Sequence, residues 1–167
     1  MVVEKYVVDV VTFAIAEQTA ISYRKAVSDD VPALVAMLRA FVTSTKYRKF
    51  VGDSPDALKT FLSPLIDNQS AAIFVAEQDG AVIGMLGVLG YVHPMSGEKC
   101  AGELFWWLNP EHRGAGGWLL RRAESWARAF GAVSIQMIAP SDKPDVERMY
   151  RRVGYEPVEI AYHKRLS

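Results

Sequence analysis

The chain has little cysteine, no excess of either charge and no long apolar run, and each shortage excludes something. Its one cysteine, Cys100, cannot form an internal disulfide and fits a reducing compartment. Flanked by Lys99 and Ala101, with no second Cys to share a metal, it reads as a packed or surface thiol rather than a nucleophile. Nineteen basic residues face nineteen acidic ones, so the broad basic surface of a general nucleic-acid binder is not expected. No stretch reaches the roughly 18 apolar residues of a membrane span. The valine-rich start, Met1 to Ala20, is broken by Glu4, Lys5, Asp9 and Glu17, and lacks the basic head and apolar centre of a signal peptide. A cytoplasmic protein with no membrane partner is expected. His93 and His112 have no second ligand at metal spacing, so no metal is expected either.

What is present suits one domain. Half of the 167 residues are hydrophobic, enough to bury a core without staples. Residues 1–20 are set apart as an extension that packs on the domain or on a partner subunit, with residues 21–167 as the domain. Ile21 to Ala26 alternates as a half-buried strand. Ser28-Asp29-Asp30 and Pro32 then open a helix whose apolar face runs Val31, Leu34, Val35, Leu38 and Val42. Thr43 to Asp53 is a loop, and a second helix begins at Ser54-Pro55-Asp56, with Pro64 expected to kink or shorten it. Ala72–Glu77 and Ala81–Val92 form a hairpin around Gln78-Asp79-Gly80. Gly84, Gly87 and Gly90, three apart on its second arm, suggest close packing or a bulge.

Leu104 to Arg128 dominates the second half. An apolar run breaks at Asn109-Pro110, passes a glycine-rich turn and continues as an amphipathic helix to about Gly131. A strand between Ser134 and Ala139, a helix from Asp145 to Val153 and a last strand from Pro157 to Lys164 complete the order β-α-α-β-β-β-α-β-α-β. The class is α/β, a mixed central sheet of about six strands with helices on both faces.

A strand entering a helix through glycines makes an anion site, because unpaired N–H groups of the first helical turn can approach a phosphate. Two phosphate motifs are excluded. Gly116-Gly117-Trp118 lacks the Lys and Ser/Thr of a P-loop, and Leu119 stands where a dinucleotide fingerprint needs its third glycine.

Arg113-Gly114-Ala115-Gly116-Gly117-Trp118, led in by Leu108-Asn109-Pro110-Glu111-His112, resembles the Arg/Gln-x-x-Gly-x-Gly/Ala signature of the GNAT family of N-acetyltransferases. Tyr150-Arg-Arg-Val-Gly154-Tyr155 resembles that family's later Tyr-x-x-x-Gly-Phe/Tyr element. The likeness runs from about Ile21 to the C-terminus. It implies the GNAT-like fold and transfer of acetyl from acetyl-CoA, a co-substrate, to a primary amine by direct attack in a ternary complex. The acceptor would be a small-molecule or peptide amine, and a homodimer is compatible with the resemblance. The competing reading is a non-catalytic acyl-CoA-binding or regulatory module on the same fold, since fold does not secure function.

The resemblance also implies roles. Arg113, Gly114, Ala115, Gly116, Gly117 and Trp118 would hold the pyrophosphate, while Trp107 and Leu108 lie at the carbonyl end, where a backbone N–H near Leu108 polarises the thioester. Trp118 replaces the usual Gly or Ala, so its ring must point away from the phosphate. Lys143 stands where many members have an Asn that helps hold the cofactor. A lysine-like amine, with a pKa near 10.4, is nucleophilic in only about one molecule in a thousand at neutral pH, so a base is needed. Glu103, the one carboxylate within the central strand, is the candidate base; the alternative is a solvated Glu at the strand's start. Tyr150 is the candidate acid; the alternative is an ordinary buried Tyr. Trp106 and Trp107 point to opposite faces, one into the core and the other toward the acceptor pocket.

Overall fold

The computed structural model describes residues 20–166. The N-terminal extension therefore lies outside the described residues except for Ala20. The strands are β1 (Ser22–Lys25), β2 (Ala71–Gln78), β3 (Ala81–Val92), β4 (Lys99–Leu108) and β5 (Ile135–Gln136). The helices are α1 (Val31–Ser44), α2 (Pro55–Ile66), α3 (Gly116–Phe130) and α4 (Pro144–Arg152), with short 3-10 turns at Ser28–Asp30, Lys46–Lys49 and Pro110–His112. The strands stand in sheet order β1-β2-β3-β4-β5, antiparallel except for the parallel pair β4–β5. The sheet is therefore mixed, as the element order implies.

Period-two alternation sends the side chains of β2 to two cores. Ile73 and Val75 join Met85 and Phe105 under Leu34, Leu38 and Leu62 of α1 and α2. Ala72, Phe74 and Ala76 join Leu86 and Val88 under Leu119 and Ala123 of α3. The hairpin turns on Asp79 and Gly80, both at positive φ, the geometry a two-residue type I′ turn demands. The glycines of β3 mark close packing: a Cβ at Gly87 would lie 2.5 Å from the Phe105 ring, and one at Gly90 would run into Phe130. Pro64 lies within α2, which ends two residues later at Ile66.

At the sheet's first edge, Arg24 donates to both carboxylate oxygens of Asp30, at 2.7 and 2.9 Å, and through Nε to Glu77 at 2.9 Å. Val27 N–H donates to Asp30 at 2.8 Å. The Arg24 guanidinium, helped by that N–H, holds the Asp30 carboxyl below its ordinary range against the opposing effect of burial.

The C-terminal third departs from expectation. The sheet has five strands rather than about six: β5 is two residues long, and Pro157 to Lys164 forms no strand. Two local causes act together. β5 pairs only with Ala101 and Gly102, and the next available N–H along it, that of Ile138, donates to the Glu103 carboxylate instead of to a strand. With so short an edge to dock on, the tail's alternating pattern has no ladder to join.

A bulge in β4 matters more for function. Gly87 pairs with Phe105 while the next residue, Val88, pairs with Glu103, so Leu104 is the extra residue. Strict alternation would put Glu103 on the face of Phe105 and Trp107, inside the α1/α2 core. The extra residue transfers Glu103 to the other face, toward α4. Bulges re-aim side chains in this way.

Candidate active site

Glu103 and Tyr150 meet on that face. The Tyr150 hydroxyl donates to Glu103 Oε2 at 3.1 Å, and Ile138 N–H donates to the same oxygen at 3.1 Å. The Tyr150 oxygen also lies 3.5 Å from the Ile138 carbonyl. Burial raises the Glu103 pKa to about 7, the Ile138 and Tyr150 hydrogen bonds opposing it only partly. Burial, and then the adjacent Glu103 carboxylate, push the Tyr150 hydroxyl well above its ordinary value. The pair thus holds a carboxylate that changes charge near neutrality against a phenol that keeps its proton.

Tyr150 is set by packing. It is the buried residue of α4, with the Trp106 ring 6.0 Å away on one side and the Tyr155 ring 5.4 Å away on the other. Gly154, at φ +92°, reverses the chain after α4 and brings Tyr155 back. The Tyr155 hydroxyl then donates to Glu124 on α3 at 3.0 Å, joining the two helices.

Beyond Gly102 no β5 residue pairs with β4, so the two strands part alongside Glu103. Asn109 N–H donates to Ile83 on β3 at 2.9 Å. N–H groups of neighbouring strand residues alternate between edges, so Leu108 N–H faces the opening. The Trp107 ring packs on the α1/α2 core and donates its N–H to Asn109 at 3.1 Å. It is Trp106 whose ring lines the α3/α4 side.

The glycine turn closes the site's far end. Gly114 sits at φ +113°, which L side chains rarely adopt. Ala115 donates to the His112 carbonyl at 3.1 Å, and its own carbonyl accepts the Tyr23 hydroxyl at 2.9 Å. The N–H groups of Gly114, Gly116, Gly117 and Trp118 have no backbone partner outside α3 among the described residues, and first-turn N–H groups have none inside a helix. A Cβ at Gly116 would lie 2.9 Å from the Trp106 ring, whereas one at Gly117 would meet nothing within 4 Å. The Trp118 ring is 55% exposed, 6.2 Å from Tyr23, with the Arg121 guanidinium 4.9 Å over its face. Gly114 and Gly117 in the turn beside it are themselves exposed.

The remaining residues singled out in the sequence stand apart. Lys143 is exposed at the N-cap of α4. Cys100 is buried, with its sulfur 3.3 Å from the Ser134 hydroxyl. His93 accepts a hydrogen bond from Met95 N–H within its own turn. Among the described residues no three His, Cys, Asp or Glu side chains cluster as metal ligands, and no helix is long and apolar enough to cross a membrane. Of the two tryptophans expected on opposite faces, Trp106 is the one on the site's side. Two site features were not foreseen, the Ile138 N–H and the Tyr155–Glu124 bond, and of these only Tyr155 carried a sequence signal, as the last residue of its motif.

The mixed five-stranded sheet with helices on both faces, and the glycine turn leading into α3, define the class of this α/β domain. A family model described as the acetyltransferase (GNAT) family matches residues 34–155, and the chain belongs to that family. A search of curated proteins found no match. Among solved structures, the chain is similar to a transcriptional regulator from Bacillus halodurans C-125 (20% identity, 88% of this chain and 100% of the other, TM-score 0.75). It is also similar to a ribosomal-protein-alanine N-acetyltransferase from Brucella melitensis biovar Abortus 2308 (16%, 88% and 99%, 0.68). A third is described as a predicted acetyltransferase with acetyl-CoA, from Clostridium acetobutylicum (17%, 88% and 97%, 0.71). At these identities the likeness concerns the fold.

Proposed function

We propose that this protein is an acetyl-CoA-dependent N-acetyltransferase that moves acetyl to a primary amine by direct attack in a ternary complex. The observation that carries the reading is the Glu103–Tyr150 pair, poised beside the gap between β4 and β5. The residues present fit acetyl-CoA. Bare N–H groups at Gly114, Gly116 and Gly117 suit a pyrophosphate, and Gly117 leaves room for close approach. Leu108 N–H faces the gap as a fixed dipole for an oxygen that gains charge. When bound, acetyl-CoA supplies the acetyl group as an activated thioester.

The chain's own residues handle the protons. Ionised Glu103 takes a proton from the ammonium of the acceptor, directly or through a water, and a pKa near 7 suits that task. Tyr150 donates its hydroxyl proton to the departing sulfur. Its own ionisation is pushed up, so it donates in concert as Glu103, bonded to the same hydroxyl, returns a proton. The ammonium loses two protons in all: one passes by way of Glu103 and Tyr150 to the sulfur, the other goes to water as the C–N bond forms and the C–S bond breaks, and the pair is restored.

The test mixes purified protein with acetyl-CoA and a panel of amines and reads free thiol. Amine-dependent release that Tyr150→Phe suppresses is expected. CoA binding with no release on any amine, and no effect of Tyr150→Phe, would establish the non-catalytic acyl-CoA module instead. No CoA binding at all would sink both readings.

A further inference from the structure

Although the chain is neutral overall, two basic segments far apart in sequence meet on one side of this site. Lys46, Arg48 and Lys49 lie in the turn between α1 and α2, and Lys164 and Arg165 lie near the chain's end. Aromatic contact joins them: the His163 ring sits 5.7 Å from Tyr47 and 5.5 Å from Phe50. All five cations are exposed. No acidic residue occurs from Ser44 to Gly52 or from Ile160 to Ser167. Among the described residues none of the five makes an ion pair. The nearby carboxylates Asp53 and Glu159 are engaged, with Arg39 and Gln136.

The patch adjoins the chemistry. Lys46 Nζ donates to Ser141 Oγ at 3.1 Å, three residues after Ile138, whose N–H holds Glu103. The basic rim therefore borders the catalytic pair from the α1–α2 side, while the glycine turn belongs to the N-terminus of α3. The tail adds a second feature. Residues 156–166 make no backbone–backbone hydrogen bond among the described residues. Val158, Ile160 and Tyr162, at alternate positions, are 92%, 79% and 91% exposed. Alternating side chains with unpaired main-chain groups are what an added peptide strand requires.

Resting on the proposed acetyl transfer, we infer that the acceptor amine belongs to a peptide carrying acidic side chains, which pairs with the 157–166 tail and sets its carboxylates against the Lys46–Lys49 and Lys164–Arg165 rim. A basic acceptor such as a polyamine would meet repulsion there. A nucleic acid would match the charge, but its base amines are too weakly basic for a site built to deprotonate an ammonium.

Binding tests this without turnover. The full chain, saturated with CoA, is titrated against a Glu-rich peptide with a free N-terminus and a C-terminal fluorophore, and against the same peptide with Gln at each Glu. The Glu peptide should bind at least about tenfold more tightly. Its advantage should shrink as salt rises and vanish in Arg48→Glu/Lys49→Glu and, separately, in Lys164→Glu/Arg165→Glu. CoA affinity should stay unchanged in both variants. Equal binding of the two peptides by the wild type, an advantage that survives both reversals, or displacement by a short DNA duplex in preference to the Glu peptide overturns the inference. If the Glu peptide binds through the patch but no amine is acetylated, acetyl transfer falls and the patch stands. If a polyamine is acetylated equally well by wild type and both variants, transfer stands and the acidic acceptor falls.

Discussion

The Tyr150 hydroxyl and Glu103 Oε2 are 3.1 Å apart although their residues lie 47 positions apart in the chain. The effect is one-sided: Glu103 makes the phenol harder to ionise, whereas the phenol's hydrogen bond favours the ionised carboxylate. The carboxylate pushes the phenol's ionisation upward, while burial opposes the carboxylate's own charge. Both depend on a third group, Ile138 N–H, which is free to hold Glu103 because β5 ends at Gln136.

The rate should follow the charge on Glu103. Amine-dependent kcat/KM should rise as pH passes through about 7 and then level until another group titrates. Glu103→Gln should lower kcat by about 10²- to 10⁴-fold and erase that limb. A variant that retained the limb would assign it to another group.

Stability should show the same titration with a definite sign. The folded pKa of Glu103, about 7, exceeds its ordinary value of 4.5. Between those values the folded state binds more protons than the unfolded one, so stability falls as pH rises across that window and levels off above it. The full span is on the order of 3 kcal/mol. Asp30 acts oppositely and only in acid: its folded pKa is depressed, so its contribution is complete above its unfolded pKa and lost as pH falls through the folded one. Thermal melts from pH 5 to 8 should therefore decline in the wild type and flatten in Glu103→Gln.

Tyr150→Phe keeps the ring against Trp106 and Tyr155 and removes only the hydroxyl. We expect kcat to fall by about 10²-fold with little change in CoA affinity. Glu103 would also lose one of the two hydrogen bonds that hold its pKa down, so any residual activity should have its rising limb shifted to higher pH. A limb displaced downward would contradict the assigned direction of the bond.

The glycine turn is tested by two neighbours with different surroundings. Gly116→Ala puts a Cβ 2.9 Å from the Trp106 ring and should cost about 1–3 kcal/mol of stability through overpacking, seen as a lower melting temperature. Gly117→Ala meets no protein atom within 4 Å, so its melting temperature should stay close to wild type. Its effect should appear as weaker CoA binding by calorimetry. Unchanged CoA affinity in Gly117→Ala would mean that the phosphates lie elsewhere.

Local signals made much of this legible. The hairpin came from Asp79-Gly80, α1 from Ser28-Asp29-Asp30, Pro32 and its apolar spacing, and the anion turn from glycines standing between a strand and an amphipathic helix. Tyr150 was marked by its motif, and Trp118 by the requirement that its ring turn outward. The expected last strand failed because alternation in Val158, Ile160 and Tyr162 states only which side chains share a face. Whether a strand forms depends on a partner edge, and β5 offers two residues.

The sequence by itself determined the element order through β4 and α3, the mixed α/β class and the glycine turn before α3, because each rests on neighbours within a few residues. Only the tertiary structure decided what Glu103 does. By alternation it belongs on the face of Phe105 and Trp107, in an apolar core where a carboxylate has no partner. One extra residue at Leu104 moves it to the face where α4 and Ile138 converge. A bulge is a mismatch between two paired strands, so it has no signature in one of them read alone.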